Sequence, residues 1–597
     1  MCSNIVSFKY VVLITMSDKI FPKKIKGKIY YYYQYTYREK VDPKDHYKGK
    51  GPGSGKSRVK THSEYLGTAR FIRDKIKQSK GQPLAVKHLN FGVLAATYQT
   101  AIKIGLVDTL KKYITGQRFG IPRWFFFFIA ILNRIDNATS KEKMGTWAAG
   151  TILPRLLGFD PNVLNSKTFW YVTDDIISES ELRKRRRNNT CLADDVFVGL
   201  NDQVFRDIEK DVFTHVRDNF AIEPASVVYD TTNFFTYIQP RTPCELAETG
   251  HNKDSHHHLK QVGLAVAVEQ IYGLPFFHRT YRGNSHDSTT FFSVIDDLVQ
   301  EVKQHVHENS TVILVMDKGN NSEDNFNKLK GKLDWIGSLV PSHYPDLLVK
   351  PPATYEGEWD GMKYFRVKQK VVGIDCVLVM TFNPKLYKKQ MYSLENGIEK
   401  IQKHIRQKLS AYKRFPGNSV PQGIESMRKK SRYGCFFEIV IKDNMISFPQ
   451  KKNKIEEAKI RFGKNLIFTN RLKAESPWII DQYKNKNIVE QDFNLLKDPE
   501  LVRNRPIRHW TDTKIRSFCF SCVMALLLLR VMQLIAKKAD LDMSPLVLKQ
   551  ELQDLKLISW LEESLQIESK VSERSTVQQK LWDIFRLKEI ENELTIH

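Results

Sequence analysis

An unbroken run of apolar residues, Val312 to Met316, limits what this chain can fold into more than any other stretch. A strand that faces solvent on one side alternates apolar and polar residues, so a run without alternation predicts a strand covered on both faces. Asp317 follows the run directly. In α/β proteins the carboxyl ends of such strands are where ligand-binding groups lie. The run therefore predicts an α/β fold with Asp317 as a candidate functional residue.

A second carboxylate follows an apolar approach earlier in the chain. The segment SVVYDTTNFFTYI, which starts at Ser226, predicts a strand that contains Asp230. Two more strands, LKQVGLAVAVEQ and GLPFFHRTYRG, follow with a tight turn at Tyr272–Gly273, and a helix opens at GNSHDS. Asp287 is most simply the N-cap of that helix, because aspartate is a favoured cap residue, and no chemistry is assigned to it.

A third carboxylate lies on a predicted helix, Trp478–Lys497. At 3.6 residues per turn, one narrow stripe of this helix holds a tyrosine, two lysines and a glutamate, and apolar side chains cluster on the opposite side. Two interpretations are open: a solvated face with an ordinary (i, i+4) ion pair between lysine and glutamate, or a functional face. Partner carboxylates elsewhere in the chain decide between them. The residues of the stripe are Tyr483, Lys486, Glu490 and Lys497.

Asp230, Asp317 and Glu490 lie on elements that can converge at one edge of a sheet. Three carboxylates supply the hard oxygen ligands that a pair of Mg²⁺ ions needs, with coordination positions left for water and phosphate. Mn²⁺ is expected to be able to replace the Mg²⁺ ions. Two such ions about 3.5–4 Å apart can activate an attacking oxygen and stabilise a leaving oxygen in phosphodiester transfer. The three residues are thus candidate metal ligands and catalytic residues.

The charge of the chain indicates a polyanionic partner. It has 93 lysine and arginine residues against 67 aspartate and glutamate residues, a formal net charge of +26. Nucleic acid is the first candidate partner and an acidic membrane surface the second. No apolar run reaches the roughly 18–20 residues of a transmembrane helix, and Phe518–Leu529 is predicted to be a core helix, so no membrane partner is expected. Seven scattered cysteines are typical of a reducing cytoplasm.

Two short basic segments carry weaker signals. Alternation over residues 26–70 predicts strands that form a hairpin, and its loop contains GPGSGKS (Gly51–Ser57). This loop resembles a phosphate-binding loop, but Lys50 stands where the motif needs glycine, so no nucleotide is expected as a ligand. ELRKRRRNNT (Glu181–Thr190) is expected to be solvated or to contact phosphate.

Several motifs, taken jointly, resemble one family. YDTTNFFTYI, GLPFFHRTYRGNSHDS, VMDKGNNS and the spacing Y-x2-K-x3-E-x6-K are similar to the DDE transposases of bacterial and archaeal insertion sequences. The similarity is to the branch with a Tyr–Arg–Glu–Lys signature and a β-rich insertion before the catalytic glutamate, and it covers about residues 85 to 537. One residue departs from the signature. Lys486 stands in place of arginine, and lysine lacks the bidentate fork that grips phosphate.

This resemblance implies a function and a site. The implied protein is a transposase that cleaves DNA at the terminal inverted repeats of its own transposable element and joins the 3′ ends to target DNA. It would act as a homodimer in the synaptic complex, in the cytoplasm of a prokaryote and associated with the nucleoid. Two alternatives stay open: a ribonuclease-H-like nuclease or resolvase without strand transfer, and a catalytically inactive DNA-binding descendant. The implied metal ligands are Asp230, Asp317 and Glu490, and the implied DNA-binding residues are Tyr483, Lys486 and Lys497.

The expected architecture is α/β. It is a ribonuclease-H-like mixed sheet core with a β-rich insertion, preceded by a mainly helical N-terminal region and followed by a helical tail. The predicted segments are a basic N-terminal region of short strands (1–83), a helical DNA-binding and dimerisation region (84–221), the catalytic core (222–344 and 461–540), the β-rich insertion (345–460) and the helical C-terminal tail (541–597).

Overall fold

The computed structural model describes residues 15–40, 57–78, 85–188, 199–250, 256, 258–306, 310–410, 422–442, 445–561 and 567–595. The chain divides into two compact units. One is Met1–His88 with Ile558–Lys570, and the other is Leu89–Leu557 with Val571–His597. The second unit contains every candidate metal-binding and DNA-binding side chain. The finer segment boundaries within it stay predictions.

A three-stranded antiparallel sheet lies at the start of the described chain, in the order β1-β2-β3. Its strands and the elements that follow are β1 (Thr15–Ile25), β2 (Lys28–Lys40), β3 (Ser57–Gly67), α1 (Ala69–Gln78) and β4 (Ala85–Asn90). β2 and β3 pair along most of their length, which confirms the predicted hairpin. Most of its GPGSGKS loop, residues 51–56, lies outside the described residues.

Helices dominate the segment that follows. It comprises α2 (Gly92–Lys103), α3 (Leu106–Tyr113), β5 (Gln117–Arg118), β6 (Ile121–Pro122), α4 (Arg123–Asp136), α5 (Met144–Ala149), α6 (Leu153–Leu157), α7 (Ser166–Asp174), β7 (Ile176–Ile177), α8 (Glu179–Asn188), β8 (Leu200–Asn201) and α9 (Gln203–Phe220). α4 is buried on nearly every side, because its sequence RWFFFFIAILNRI has no polar face. Most of the basic strip that begins at Glu181 lies on α8, where its arginines are largely exposed.

In the described residues, the core of the second unit is a mixed sheet of ten strands. Its strands, with the separate pair β18 and β19, are β9 (Ser226–Phe235), β10 (Glu248–Thr249), β11 (Lys260–Glu269), β12 (Leu274–Arg282), β13 (Ile313–Met316), β14 (Asp334–Leu339), β15 (Gly357–Trp359), β16 (Met362–Val371), β17 (Ile374–Phe382), β18 (Val440–Lys442), β19 (Met445–Ser447) and β20 (Lys464–Thr469). The order is β10-β11-β9-β13-β14-β20-β17-β16-β15, with β12 also paired to β11. β9, β13 and β14 are parallel, and all other neighbours are antiparallel. The sheet confirms the predicted α/β class.

Helices occupy the connections between these strands and the chain after β20. They are α10 (Asp287–Gln304), α11 (Glu323–Leu329), α12 (Pro345–Leu348), α13 (Pro384–Ser410), α14 (Gln422–Lys430), α15 (Lys452–Arg461), α16 (Ser476–Lys484), α17 (Asn487–Lys497) and α18 (Asp512–Lys538). α16 contacts β14 and β20, whereas α17 contacts β9 and α18. α16 and α17 therefore cover the parallel strands at the centre of the sheet and the adjacent antiparallel strand, β20.

Three strands of the predicted insertion, 345–460, join the main sheet, whereas β18 and β19 form a separate pair. β17 pairs with β20, and β16 and β15 extend the sheet beyond it. The reason is visible in β17, where Cys376–Met380 form a buried apolar run like the one in β13. The rest of this segment is chiefly helical, in α13, α14 and α15. The segment thus contributes structure to the sheet that carries the candidate site.

α18 is the buried helix of the C-terminal part. It could cross a membrane by length and composition alone, but 89% of its most apolar stretch is buried inside the protein. It packs against α2, α4 and β12, so Phe518–Leu529 belongs to a core helix, as predicted.

The C-terminal tail contains strands as well as helices. Its elements are α19 (Pro545–Gln553), β21 (Lys556–Leu561), β22 (Ile567–Val571), α20 (Thr576–Ile584) and α21 (Leu587–Thr595), and the strand order there is β22-β21-β4. The prediction of an all-helical tail was therefore wrong. Within KLISW, Leu557 and Ser559 are buried, whereas Lys556, Ile558 and Trp560 are only half-buried, which is the period of two that is typical of a strand.

Candidate active site

Asp230 and Asp317 lie side by side at the parallel centre of the sheet. β9 and β13 are parallel neighbours, and their register pairs Val228 with Val315 and Tyr229 with Met316. Each aspartate is the next residue along its strand, so the two backbones are level, on strands spaced about 4.8 Å apart. Both acids lie where the apolar approaches in the sequence predicted them.

The side chains of β9 alternate between two helices. Tyr229 packs on Phe291 of α10, with ring centroids 4.7 Å apart. Phe234, of the opposite parity, faces Lys497 of α17, whose Nζ is 5.9 Å from the ring centroid. Because successive side chains of a strand point to opposite faces, Asp230 shares the face of Phe234. The first aspartate therefore lies on the face that α17 covers.

The predicted single helix Trp478–Lys497 is two helices, α16 and α17, joined by a tight turn. Backbone hydrogen bonds in the turn reach back three residues, from Lys486 N to Tyr483 O at 3.3 Å and from Val489 N to Lys486 O at 3.2 Å. Side chains three residues apart eclipse in such a turn. Lys486 Nζ accordingly lies 5.4 Å from the centroid of the Tyr483 ring. The prediction of a single helix was therefore wrong, but the turn keeps the side chains of Tyr483 and Lys486 aligned.

Lys486 forms ion pairs with two of the candidate carboxylates. Its Nζ is 3.2 Å from Asp317 Oδ1 and 3.9 Å from Glu490 Oε1, and its side chain is only 17% exposed. Asp230 also interacts with it electrostatically. An ordinary helical ion pair would join Lys486 to Glu490 alone, but the nearer partner is Asp317, on a different element. This arrangement favours a functional face over a solvated one.

The charges around Lys486 shift pKa values of the site. Although burial acts to raise it, the Lys486 ammonium holds the pKa of Asp317 below its ordinary value. Although burial acts to lower it, Tyr483, Asp317 and Asp230 raise the pKa of Lys486. Burial raises the pKa of Tyr483. At neutral pH the site therefore holds an ionised Asp317, a protonated Lys486 and a neutral Tyr483.

Lys497 is the member of the predicted stripe nearest the end of α17. It is in the last turn of α17, seven residues beyond Glu490 and hence about 10 Å farther along the helix axis. Its ammonium lies near Phe234, four residues beyond Asp230 on β9. Its ammonium thus lies over the face of β9 that also carries Asp230.

Asp287 has a place in the site that the sequence prediction missed. The N-cap of α10 is His286, which makes no side-chain cap bond, and Asp287 is the first helical residue, so the predicted cap was wrong. Thr231 Oγ1 donates a hydrogen bond to Asp287 Oδ1 at 2.8 Å. A Cβ added at Gly319 would lie 3.0 Å from Asp287 Oδ2. Asp287 is therefore hydrogen-bonded to the strand of the first aspartate and lies against the turn that follows the second.

A buried ion pair holds α17 against α18. Arg530 Nε donates to Asp492 Oδ1 at 2.6 Å, and the two side chains are 5% and 0% exposed. Burial raises the pKa of Asp492 to about 7, and the Arg530 charge acts against that rise. Two residues are about 200° of a helix, so Asp492 faces the core when Glu490 faces the site. The pair therefore fixes the rotation of the helix that carries Glu490.

The donor set suits Mg²⁺ in chemistry. In the described part of the chain, no three His, Cys, Asp or Glu side chains stand close enough together to hold one ion. Mg²⁺, however, is commonly bound through one or two carboxylates, and water and substrate phosphates complete its shell. Asp230 and Asp317 are level on neighbouring strands, and Asp317 and Glu490 share Lys486 as a neighbour.

The chain has no match among known protein families or among curated protein sequences. Among solved structures, it is similar to a cryo-EM structure of the piggyBac transposase synaptic complex with hairpin DNA. The TM-score is 0.38 and the sequence identity 9%, over 83% of this chain and 82% of that chain. A structural similarity this distant does not support an inference about function.

Proposed function

We propose that this chain is a DNA transposase with a ribonuclease-H-like catalytic core. It cleaves double-stranded DNA at the terminal inverted repeats of an insertion sequence and joins the 3′ ends to target DNA. The observation that carries the proposal is the position of Lys486, 3.2 Å from Asp317 and 3.9 Å from Glu490, with Asp230 in electrostatic reach. The motifs that resemble DDE transposases support the same function.

Each site residue has a role in this proposal. Two Mg²⁺ ions would activate the attacking oxygen and stabilise the leaving oxygen of the phosphodiester. Lys486 carries a positive charge beside the carboxylates and contacts a phosphate of the DNA end. Tyr483 offers a neutral hydroxyl beside Lys486. Lys497 contacts the bound DNA at a point farther along β9. The ligands of the ions are Asp230, Asp317 and Glu490.

The partners and the setting are part of the proposal. A formal net charge of +26 supports DNA as the partner, because neutralising phosphates supplies sequence-independent affinity. We propose a homodimer in the synaptic complex, which would bring two transposon ends together. We also propose a prokaryotic cytoplasm, with the protein associated with the nucleoid.

The test is cleavage of a DNA duplex that carries the inverted repeats flanking the reading frame. Asp230→Asn, Asp317→Asn and Glu490→Gln each keep the shape of the side chain and remove the charge that binds metal. Each is expected to abolish Mg²⁺-dependent cleavage and to leave DNA binding nearly unchanged, because the many other cations supply most of the affinity. Gel analysis of cleavage products and a binding titration measure the two effects.

Glu323→Gln is the matched control, since Glu323 is an exposed carboxylate in the first turn of α11. It is expected to cleave like the wild type. Cleavage by Glu490→Gln at the wild-type rate would contradict the assignment. Joining of the cut ends to a supercoiled plasmid separates the alternatives: a nuclease or resolvase cuts without joining, and an inactive descendant binds without cutting.

A further inference from the structure

A basic cavity lies in the second unit, outside the carboxylate centre. Its volume is about 550 Å³, and it is lined by the end of α4 with the loop after it, by α7, by the loop 503–509 and by the start of α18. Ligand pockets have volumes of about 300–1,000 Å³. Seven lysine and arginine side chains line the cavity, against one carboxylate, Glu142. The cavity is therefore large enough for a small ligand and strongly positive.

Arg134 is a buried cation of this cavity that has no acidic partner in the part of the chain that the structure describes. It is 6% exposed, and its guanidinium donates to Asn133 Oδ1, to Thr139 O and, at 3.4 Å, to Arg503 O. Its Nε has no hydrogen-bond partner among the described residues, and no carboxylate of the described chain pairs with it. A buried charge without a counter-charge is costly. Arg134 thus points to an anion as its missing partner.

Lys141 is a second basic side chain of the cavity that has no carboxylate partner among the described residues. Its Nζ lies over the Phe169 ring, 4.3 Å from the centroid. Burial, together with the charge of Arg134, lowers the pKa of Lys141 to about 7. Lys514 belongs to the same wall but is paired with Asp174. The repulsion between Arg134 and Lys141 would be relieved by a bound anion.

Aromatic rings form another part of the lining. Phe169, Trp170 and Phe518 contribute to the wall, and a cation of the cavity lies over one face of each ring: Lys141 over Phe169, Lys514 over Trp170 and Arg134 over Phe518. Flat aromatic faces stack on nucleobases, whatever the base. A combination of cations and aromatic rings is the chemistry of a site for single-stranded nucleic acid.

The loop in the cavity wall is tied to the strand of the candidate active site. Ile507 N donates to Phe235 O, at the end of β9, at 3.1 Å. Phe235 is five residues beyond Asp230, or about 17 Å along an extended strand. One DNA strand carries a phosphate about every 3.4 Å along the duplex axis. A strand with one phosphate at Asp230 would therefore have others within reach of the cavity.

We propose that this cavity binds one nucleotide of a DNA strand, with its phosphate against Arg134 and Lys141 and its base against the aromatic wall. The proposal rests on the proposed function, because it takes DNA as the partner. It adds a binding site away from the carboxylates. The bound strand would be held in place relative to the candidate active site by the loop that the cavity shares with β9.

The test measures binding in EDTA, so that cleavage plays no part. The probes are a fluorescent hexathymidylate and inorganic pyrophosphate, used with the full-length protein. A phosphate contact to a charged group predicts that Lys141→Gln binds the hexanucleotide about tenfold more weakly. Trp170→Leu is expected to weaken hexanucleotide binding and to leave pyrophosphate binding unchanged. Lys167→Gln, on the exposed side of α7, is the matched control and binds like the wild type.

Acetic anhydride labelling followed by mass spectrometry locates the binding. Bound hexanucleotide is expected to slow acetylation of Lys141 about tenfold or more and to leave that of Lys167 unchanged. Equal Lys141 labelling with and without hexanucleotide would overturn the proposal. Loss of pyrophosphate binding alone in Lys141→Gln would assign the cavity to a free phosphate compound and overturn the DNA proposal. Asp230→Asn keeps hexanucleotide binding, so failure of the catalytic proposal is distinguishable.

Discussion

Lys486 allows two effects of one side chain to be separated. Its ammonium is 3.2 Å from Asp317 Oδ1 and would also contact the DNA phosphate. Lys486→Met removes a contact to a charged group, worth roughly 1.5–3 kcal/mol, so the maximal cleavage rate should fall about tenfold to a hundredfold. The carboxylates lose a neighbouring cation, so the Mg²⁺ concentration needed for half-maximal rate should fall as well. Rates on a pre-formed end complex across a Mg²⁺ titration measure both.

Two companion variants sharpen this prediction. Lys486→Arg restores the signature residue and its bidentate fork, so it should cleave at least as fast as the wild type. Lys484→Met is the matched control, because exposed Lys484 pairs with Asp360. It should change neither the rate nor the Mg²⁺ dependence. If Lys486→Met cleaves at the unaltered rate, the stripe is a solvated face after all.

The same ammonium sets the acid limit of activity. Burial acts to raise the pKa of Asp317, but Lys486 holds it below its ordinary value. A carboxylate binds metal only when ionised, so activity is lost as the pH falls through this pKa. In Lys486→Met the burial remains and the counter-charge is gone, so the pKa of Asp317 rises. The acid limb of the pH–rate profile should therefore move to higher pH, and an unmoved limb would show that the two residues are not coupled.

The sequence marked some site residues and missed others for a physical reason. Asp317, Asp230 and Glu490 each follow a local pattern, either an apolar approach or a helical stripe, that marked them as candidates, and the resemblance to DDE transposases implied their role as metal ligands. Asp287 was missed because its partner, Thr231, is 56 residues away in the chain and only the fold brings them together. The Thr231 hydroxyl lies on a covered face of β9 and needs a hydrogen-bond partner. This need was the signal in the sequence that could have pointed to Asp287.

Between elements, the pair Asp492–Arg530 is the expected point of weakness. Asp492→Leu leaves Arg530 buried without its partner, and breaking such a pair costs about 3–5 kcal/mol. The thermal unfolding midpoint, followed by circular dichroism, should fall clearly. Asp492→Leu combined with Arg530→Leu removes both charges and should recover most of the loss. Glu490→Gln, an exposed change on the same helix, should leave the midpoint nearly unaltered; a double variant as unstable as the single one would contradict this account.

The elements show what a sequence pattern can and cannot predict. The apolar run of β13 predicted a strand covered on both faces, and its four residues are buried. The apolar run of β17 carried the same signal, but its place in the main sheet depends on pairing with β20, more than eighty residues later. The α16–α17 turn could not be predicted either, since Asn485 and Lys486 keep helical backbone angles and only the hydrogen-bond spacing changes.

At the scale of the whole molecule, charge should control DNA affinity. With a formal net charge of +26, binding should release many counterions. A protein that makes 6–10 phosphate contacts loses about 10³–10⁵ in affinity between 50 and 200 mM salt. Fluorescence anisotropy of a labelled duplex across that range measures the slope. The carboxylate variants should keep the wild-type slope, whereas a slope near zero would show that DNA is not the polyanionic partner.

The pairing of β14 with β20 has a consequence for synthesis on the ribosome. β14 ends at Leu339 and β20 begins at Lys464, so about 125 residues are translated before the strand receives its permanent neighbour. At 5–20 residues per second, this takes about 6–25 seconds. During that time a largely buried strand, DWIGSL, has an open edge on which a second nascent chain can pair. Early emergence of β16 and β17 does not close it, because β20 must enter between them and β14. The incomplete nascent chain therefore stays free of aggregation only if other nascent chains are scarce or a chaperone covers this edge. A polysome, where several such chains lie close together, is where aggregation would begin.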